Sequence, residues 1–468
     1  MAPEAAVPAG EDLTIRVVSR RLVKASDATI QPHVATVSNL DLYFNNYQAS
    51  MVCLYPSNLP VAGVAGSFDA VVAAFEAGLP SLLNHFYPLA GRIVVDPVSR
   101  LPELHCHNQG AELVVGEVDA ALGSLNFAGM DGSLRRILLP YPDDVMLSVQ
   151  LLRFACGGFS VVWGNNHLPN DGHGISMVVR MWSELARTGR IADGVVINHD
   201  RSVFRPRSPP SYGAAVRATF AAYHDSSRLV NVLTTQDSFV ERLYYIEAGD
   251  VARLRDMAST GQRRASRVQA VSAFLWKALA GVVAASRVPE ERCRMGWWVD
   301  ARRRVASPAL VPAMHSFFGN MTAYALGEAA VEEILERPLA EVAAMAREAI
   351  ASIDYDAYVQ ELVDWVEEHK AEKMMEASAL GLGSPTVNQT VFASFPLDTD
   401  FGFGEATLAM PVWENGRVSS GTLAVGARPG DDGSWLVSAY IWPRLAAALE
   451  SDDHRIFKPL TAAYLGFV

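Results

Sequence analysis

Two apolar runs, Leu147 to Ala155 and Phe159 to Trp163, flank Cys156-Gly157-Gly158. Glycines between two strand-forming runs predict a β-hairpin. The second run leads into Gly164-Asn165-Asn166-His167-Leu168-Pro169-Asn170-Asp171-Gly172. Beyond it, Ile175, Val178, Val179, Trp182 and Leu185 recur at helical spacing. Pro169 and Gly172 favour a loop between strand and helix. A strand, a short loop and a helix in that order point to an α/β layer arrangement. They also fix His167 at the exit of a strand. An imidazole titrates near neutrality, so a histidine held there can take a proton from an attacking nucleophile.

The chain has 468 residues, enough for two to three domains. Half of them are hydrophobic and 19% are charged, so large cores can be buried. A net charge of −12 argues against nucleic acid and against an anionic membrane surface as partners. The cysteines Cys53, Cys106, Cys156 and Cys293 are far apart and form no C-x-x-C pair, which fits a reducing compartment. His105-Cys106-His107 has no second ligand group at metal-site spacing, so no metal is expected. Met1 to Asp12 contains Glu4, Glu11 and Asp12 and lacks the pattern of a signal or transit peptide. No apolar run reads as long enough to span a bilayer. A soluble cytoplasmic protein is the expectation.

The remaining chain alternates strands and helices. Strands are expected at Leu13 to Val23, Met51 to Tyr55 and from Ile93, with two more inside Leu101 to Gly116. Ser67 caps a helix with the stripe Phe68, Val71, Val72, Phe75 and Leu79, which Gly78 and Pro80 should kink or split. Asp200 to Gly213, with Pro206, Pro209 and Pro210, fits no regular element and reads as a linker; Arg201, Arg205 and Arg207 read as solvated charges. The second half predicts strands at Glu241 to Ile246, Met295 to Val299 and Val391 to Phe395, another opening at Phe317-Phe318-Gly319-Asn320, and a terminal hairpin of Arg417 to Ala427 with Trp435 to Trp442. Helices are expected at Ala248 to Ala258, from Ser266, at Leu339 to Ile353 and at Ala357 to Met375. Residues 1–199 and 226–468 then form two similarly sized α/β domains, joined by a linker at 200–225, with a cleft between them.

Taken together, the motifs resemble those of the plant BAHD acyl-CoA-dependent acyltransferases over nearly the whole chain. The resemblance rests on His167-Leu168-Pro169-Asn170-Asp171-Gly172, Asp400-Phe401-Gly402-Phe403-Gly404, Tyr87-Pro88-Leu89-Ala90-Gly91-Arg92, Ser38-Asn39-Leu40-Asp41 and Phe318-Gly319-Asn320. It implies two chloramphenicol-acetyltransferase-like domains, each a mixed sheet with helices, and an active-site channel between them. It implies His167 as general base and acyl-CoA as co-substrate, with no permanently bound cofactor and no covalent acyl-enzyme. Asp171 and Gly172 would be structural, Asp171 pairing with Arg302. Asp400, Gly402 and Gly404 would be structural too, with Phe403 where the family usually has Trp. Ser266 matches a serine that contacts CoA phosphate in relatives, and Arg267 could add charge.

The same comparison speaks to the acceptor. Gln48, Gln360 and Phe392, the last two residues after Thr390, stand where the shikimate and quinate branch has a histidine, an arginine and a tryptophan. An anionic hydroxy-acid acceptor is therefore disfavoured. The run Val149 to Gly158 resembles the branch that makes hydroxycinnamoyl amides, with agmatine, putrescine, spermidine or aromatic amines as acceptors. Glu361, Asp364 and Glu367 are candidate carboxylates for such an amine. The alternative is an O-acyltransferase of the same family acting on a monolignol, a hydroxy acid or a terpenoid. Small-molecule substrates and a monomer suffice on either reading.

Overall fold

Strands Leu147–Phe154 and Phe159–Asn166 pair antiparallel, from Leu147 opposite Asn165 to Arg153 opposite Phe159. All eight residues of the second strand are buried, as a strand covered on both faces demands. The computed structural model describes residues 13–43, 46–57, 68–192, 194–222, 239–286, 291–395, 397–413, 421–430, 432–451 and 455–467. The hairpin lies inside a six-stranded mixed sheet, in the order Ile15–Val23, Ala111–Val118, Leu147–Phe154, Phe159–Asn166, Gln48–Tyr55, Leu408–Trp413. Helices Phe68–His85 and Gly172–Thr188 cover one face, where Phe75, Leu79, Trp163 and Trp182 pack together. The opposite face buries Val52, Leu54, Val162, Phe127 and Leu134.

The second sheet has seven strands, in the order Thr322–Ala330, Arg292–Asp300, Thr386–Val391, Thr422–Ala427, Trp435–Ile441, Val240–Ile246, Lys458–Pro459. Its core helix is Arg267–Ala284, opened by a capping box between Ser266 and Gln269. By length and composition this helix could span a membrane, contrary to the sequence-based expectation. Here Val271, Leu275, Leu279 and Val283 are buried in the core of the second sheet. The halves of the chain also interleave. Strand Leu408–Trp413 leaves the second half and pairs with Gln48–Tyr55 at the edge of the first sheet.

Several elements differ from the sequence-based reading. Phe68–His85 is one helix with Pro80 inside it; Ser67 lies outside the described residues. Gly78 is there for packing, since a Cβ would sit 2.8 Å from the Trp182 ring. Helix Tyr355–His369 ends before Met375, and Met374–Glu376 is a short strand against Phe220–Ala222. The strand expected at Val391 to Phe395 lies earlier, at Thr386–Val391, and a single 3₁₀ turn, Phe392–Ser394, follows. Phe317 to Asn320 is a loop that precedes strand Thr322–Ala330. The terminal hairpin pairs Thr422–Ala427 with Trp435–Ile441, while residues 417–420 lie outside the described residues.

Gly78→Ala tests the packing of the two helices on the first sheet. Ala is the better helix former by up to about 1 kcal/mol, yet overpacking against Trp182 should cost about 1–3 kcal/mol. A lowered melting temperature is expected. A raised one would mean that Trp182 yields freely.

Candidate active site

His167 follows the last residue of strand Phe159–Asn166. Its backbone N–H donates to the Tyr47 carbonyl at 2.8 Å. The Tyr47 ring stacks on the imidazole, with centroids 4.9 Å apart and planes 21° apart. Asn320 Nδ2 donates to the carbonyls of His167 and Leu168 at 3.1 and 3.0 Å. Backbone, ring face and loop are thus each fixed by a different element. No other described residue hydrogen-bonds the buried Nδ1. Burial lowers the imidazole pKa, outweighing the opposite pull of Asp171, Asn320 and Asp41. Burial thus favours the neutral imidazole.

Asp171 does not orient that imidazole. It is the N-cap of helix Gly172–Thr188, its Oδ1 accepting from the Gly174 N–H at 3.1 Å. The same carboxylate takes a two-pronged pair from Arg302, Nη1 to Oδ2 at 2.8 Å and Nη2 to Oδ1 at 3.1 Å. The Met321 N–H adds a further bond to Oδ2 at 3.0 Å. Arg302 also holds the carbonyls of Phe317 and Gly319 and the carboxylate of Asp300. Both partners are buried. Burial opposes each charge, but their attraction prevails: the Asp171 carboxyl lies below its ordinary pKa and the Arg302 guanidinium above. The helix that follows His167 is thereby tied to loop 317–320 of the second half.

A second buried pair runs beside the first. Asp41, on the short helix Asn39–Leu42, accepts from Arg201 Nε at 2.7 Å and from the backbone and side-chain N–H groups of Asn320, both at 3.0 Å. Arg201 also donates to the Pro169 carbonyl at 2.8 Å. It is 5% exposed, so the expectation of a solvated linker charge is corrected. Arg207 is likewise engaged, donating to the buried Asp364 at 2.5 Å. The prolines around them read as a linker, and the partners Asp41 and Asp364 lie about 160 residues away in the chain, so neither ion pair has a local signal.

The other residues singled out by sequence divide into two groups. Phe392 joins the site: a Cβ on Gly172 would lie 2.6 Å from its ring, so only glycine allows that approach. Phe395 packs beside it and meets His173 edge-on at 5.6 Å. Gln48 pairs with Asn166 across the strands, but its amide is spent on the Tyr141 carbonyl and Asp143, both at 3.1 Å. Thr390 lies on strand Thr386–Val391, in register with Trp298. Gln360 faces the linker, donating to the Arg205 carbonyl at 3.0 Å and to Asp364 at 3.1 Å. Asp400 folds its own loop: Oδ1 accepts from the N–H groups of Gly402 and Gly404, and its carbonyl accepts from Ser183, roughly three turns along the helix from Asp171. Both glycines have positive φ. Ser266 and Arg267 are exposed at the start of the second domain's core helix.

Three carboxylates considered for amine binding serve the framework instead. Glu361 accepts from the Gly213 N–H, Asp364 from the N–H groups of Arg207 and Ser211, and Glu367 from Asn39 and Lys370. A different acid is buried on the short strand Met374–Glu376. Glu376 is 3% exposed and accepts from Trp298 Nε1 at 2.8 Å. Burial raises its pKa against the donors of Tyr43, its own backbone and Trp298. Its only sequence signal is a lone acid behind Met374-Met375, which resembles the end of a helix.

This fold and site define an acyltransferase of the two-domain, chloramphenicol-acetyltransferase-like kind. The sequence pattern of the Transferase family matches residues 13–452, and the chain belongs to this family, the BAHD acyltransferases. A putrescine hydroxycinnamoyltransferase of Oryza sativa subsp. japonica is 26% identical over 427 residues, covering 85% of this chain and 90% of that protein. An omega-hydroxypalmitate O-feruloyl transferase of Arabidopsis thaliana is 25% identical, covering 74% of each. Among solved structures, F. graminearum TRI101 complexed with coenzyme A and deoxynivalenol superimposes with a TM-score of 0.72 at 16% identity, covering 91% of this chain and 99% of that one.

Asn320→Ala removes the amide that holds the His167 and Leu168 carbonyls. Leaving these groups unpaired should cost about 1–3 kcal/mol in chemical denaturation. Turnover should fall in the folded variant, because the base loses one of its supports. Wild-type turnover and stability together would count against the clamp.

Proposed function

We propose that the protein transfers a hydroxycinnamoyl-type acyl group from CoA to an amine, with His167 as general base. One observation carries this reading: a buried imidazole is stacked on Tyr47 and its backbone carbonyl is held by Asn320, while Asp171 is committed to Arg302. A base of this kind takes the proton of an amine as its nitrogen attacks the thioester carbonyl. The tetrahedral oxyanion collapses, the C–S bond breaks, and the imidazolium returns the proton to the leaving thiolate. No side chain need become acylated. Ser266 and Arg267 are the residues assigned to the CoA phosphates. The amine is supported by the similarity to putrescine hydroxycinnamoyltransferase and by Gln48 and Phe392, neither of which supplies a cation for an acidic acceptor. The similarity to the O-feruloyl transferase keeps an alcohol as the second reading. A cytoplasmic monomer without membrane or nucleic-acid partners completes the proposal.

The test is product mass after incubation with p-coumaroyl-CoA and a pool of amines and alcohols. An amide is expected; an ester alone would replace the first reading by the second. His167→Ala should lower kcat by about 10²- to 10⁴-fold without unfolding the protein. Undiminished turnover would remove His167 from the mechanism. The pH profile has a definite sign. Protonated His167 cannot act as a base, and burial lowers its pKa, so kcat should rise with pH to a plateau whose midpoint lies below about 6.5. A midpoint above that value would contradict the burial argument.

A further inference from the structure

A cavity of about 720 Å³ opens on the outward face of helix Arg267–Ala284. The opposite face of that helix is buried in the core of the second sheet. Helix Ala248–Met257, the Arg337-Pro338-Leu339 connection and helix Pro443–Glu450 supply the other walls. None of the residues that hold His167 lines it. Its volume falls within the range of about 300–1,000 Å³ that small-molecule pockets occupy.

The lining is apolar apart from Arg253, Lys277, Arg337 and Arg444, and it contains no acid. In a chain with 51 acidic residues against 39 basic ones, four cations and no acid around one cavity point to an anionic ligand. The lining has no hydroxyl or amide side chain either. A sugar, a nucleotide or a peptide would therefore give up hydrogen bonds to water without replacing them. Three of the cations are already engaged. Arg253 pairs with Asp250, and Arg337 with Glu333 and Glu341. Lys277 Nζ donates to the carbonyls of Ile334, Leu335 and Arg337. Arg444 is exposed, and no described residue engages it. One open guanidinium matches one carboxylate head.

The apolar part of the lining is also unfilled. Phe274 offers a flat wall, its ring stacked on Phe457 at 5.9 Å. Met257, on the facing helix, is 50% exposed. Gly281 lies inside an 18-residue helix, where glycine is a poorer choice than alanine. Packing does not require it, because an added Cβ would meet no neighbouring group within 4 Å. The space it leaves belongs to the cavity. A hydrocarbon body in the cavity would use that space and cover both Phe274 and Met257.

We propose that this cavity binds a single-chain amphiphilic carboxylate, its head on Arg444 and its hydrocarbon body along Phe274 and Gly281. The site is separate from the transfer centre and does not rest on the acceptor assigned above.

Dodecanoate is the probe, titrated calorimetrically into the full chain with CoA in excess. Saturable binding at one site per chain is expected. Dodecanol and dodecyltrimethylammonium keep the body but lose the negative head, and should bind at least about tenfold more weakly. Arg444→Glu should weaken dodecanoate by about tenfold or more. Gly281→Leu puts a side chain into the cavity and should abolish binding, with no fall in melting temperature and unchanged acyl-CoA turnover. No saturable binding, equal affinity for dodecanol, or undiminished binding in both variants overturns the inference. So does co-sedimentation with phosphatidylserine vesicles that is lost in Arg444→Glu while free dodecanoate does not bind, since the ligand would then be a membrane lipid. Should Gly281→Leu fail to fold, Arg444→Glu and the dodecanol comparison decide.

Discussion

The ion pair between Asp171 and Arg302 is the contact on which the site depends. It joins the N-terminus of helix Gly172–Thr188 to the end of strand Arg292–Asp300, so it spans the two halves of the chain. Each partner is too buried to remain charged alone, and each has further hydrogen bonds that complete its shell. Buried pairs of this kind contribute little net stability compared with apolar packing but are costly to break. Their value lies in register: one guanidinium sets where loop 317–320 sits. That loop carries Asn320, which reaches the His167 and Leu168 carbonyls.

Among the described residues no acid hydrogen-bonds the His167 imidazole. In a Ser-His-Asp arrangement the acid stabilises the imidazolium. Here burial disfavours the imidazolium, and a stacked tyrosine and backbone contacts hold the ring. Asp41 and Arg201 repeat the same device on the other side of Asn320, so two buried pairs brace one amide.

What could be read from the sequence was local. The hairpin around Gly157, the helix start at Ser266 and the strand-loop-helix around His167 are each written in neighbouring residues, and each is present. What could not be read depends on residues far apart in the chain. Pairing of Leu408–Trp413 with Gln48–Tyr55, burial of Arg201 on Asp41, and the aromatic surroundings of Glu376 have no local pattern. Gly78 and Gly172 looked like breakers because glycine has two uses, and the structure shows close approach by Trp182 and Phe392 instead. Glu361, Asp364 and Glu367 sit at helical spacing and resemble a ligand-facing or solvated row, yet they fasten linker and neighbouring loop.

The claim that Asp171 acts through Arg302 is tested most directly by a double-mutant cycle in chemical denaturation. Asp171→Asn and Arg302→Gln, singly and together, give the coupling between them. A buried, hydrogen-bonded pair predicts that the double variant is more stable than the sum of the single losses allows, by about 1.5–3 kcal/mol. Additive losses, with coupling near zero, would mean that the two residues stabilise the protein independently and that the pair does not hold the site.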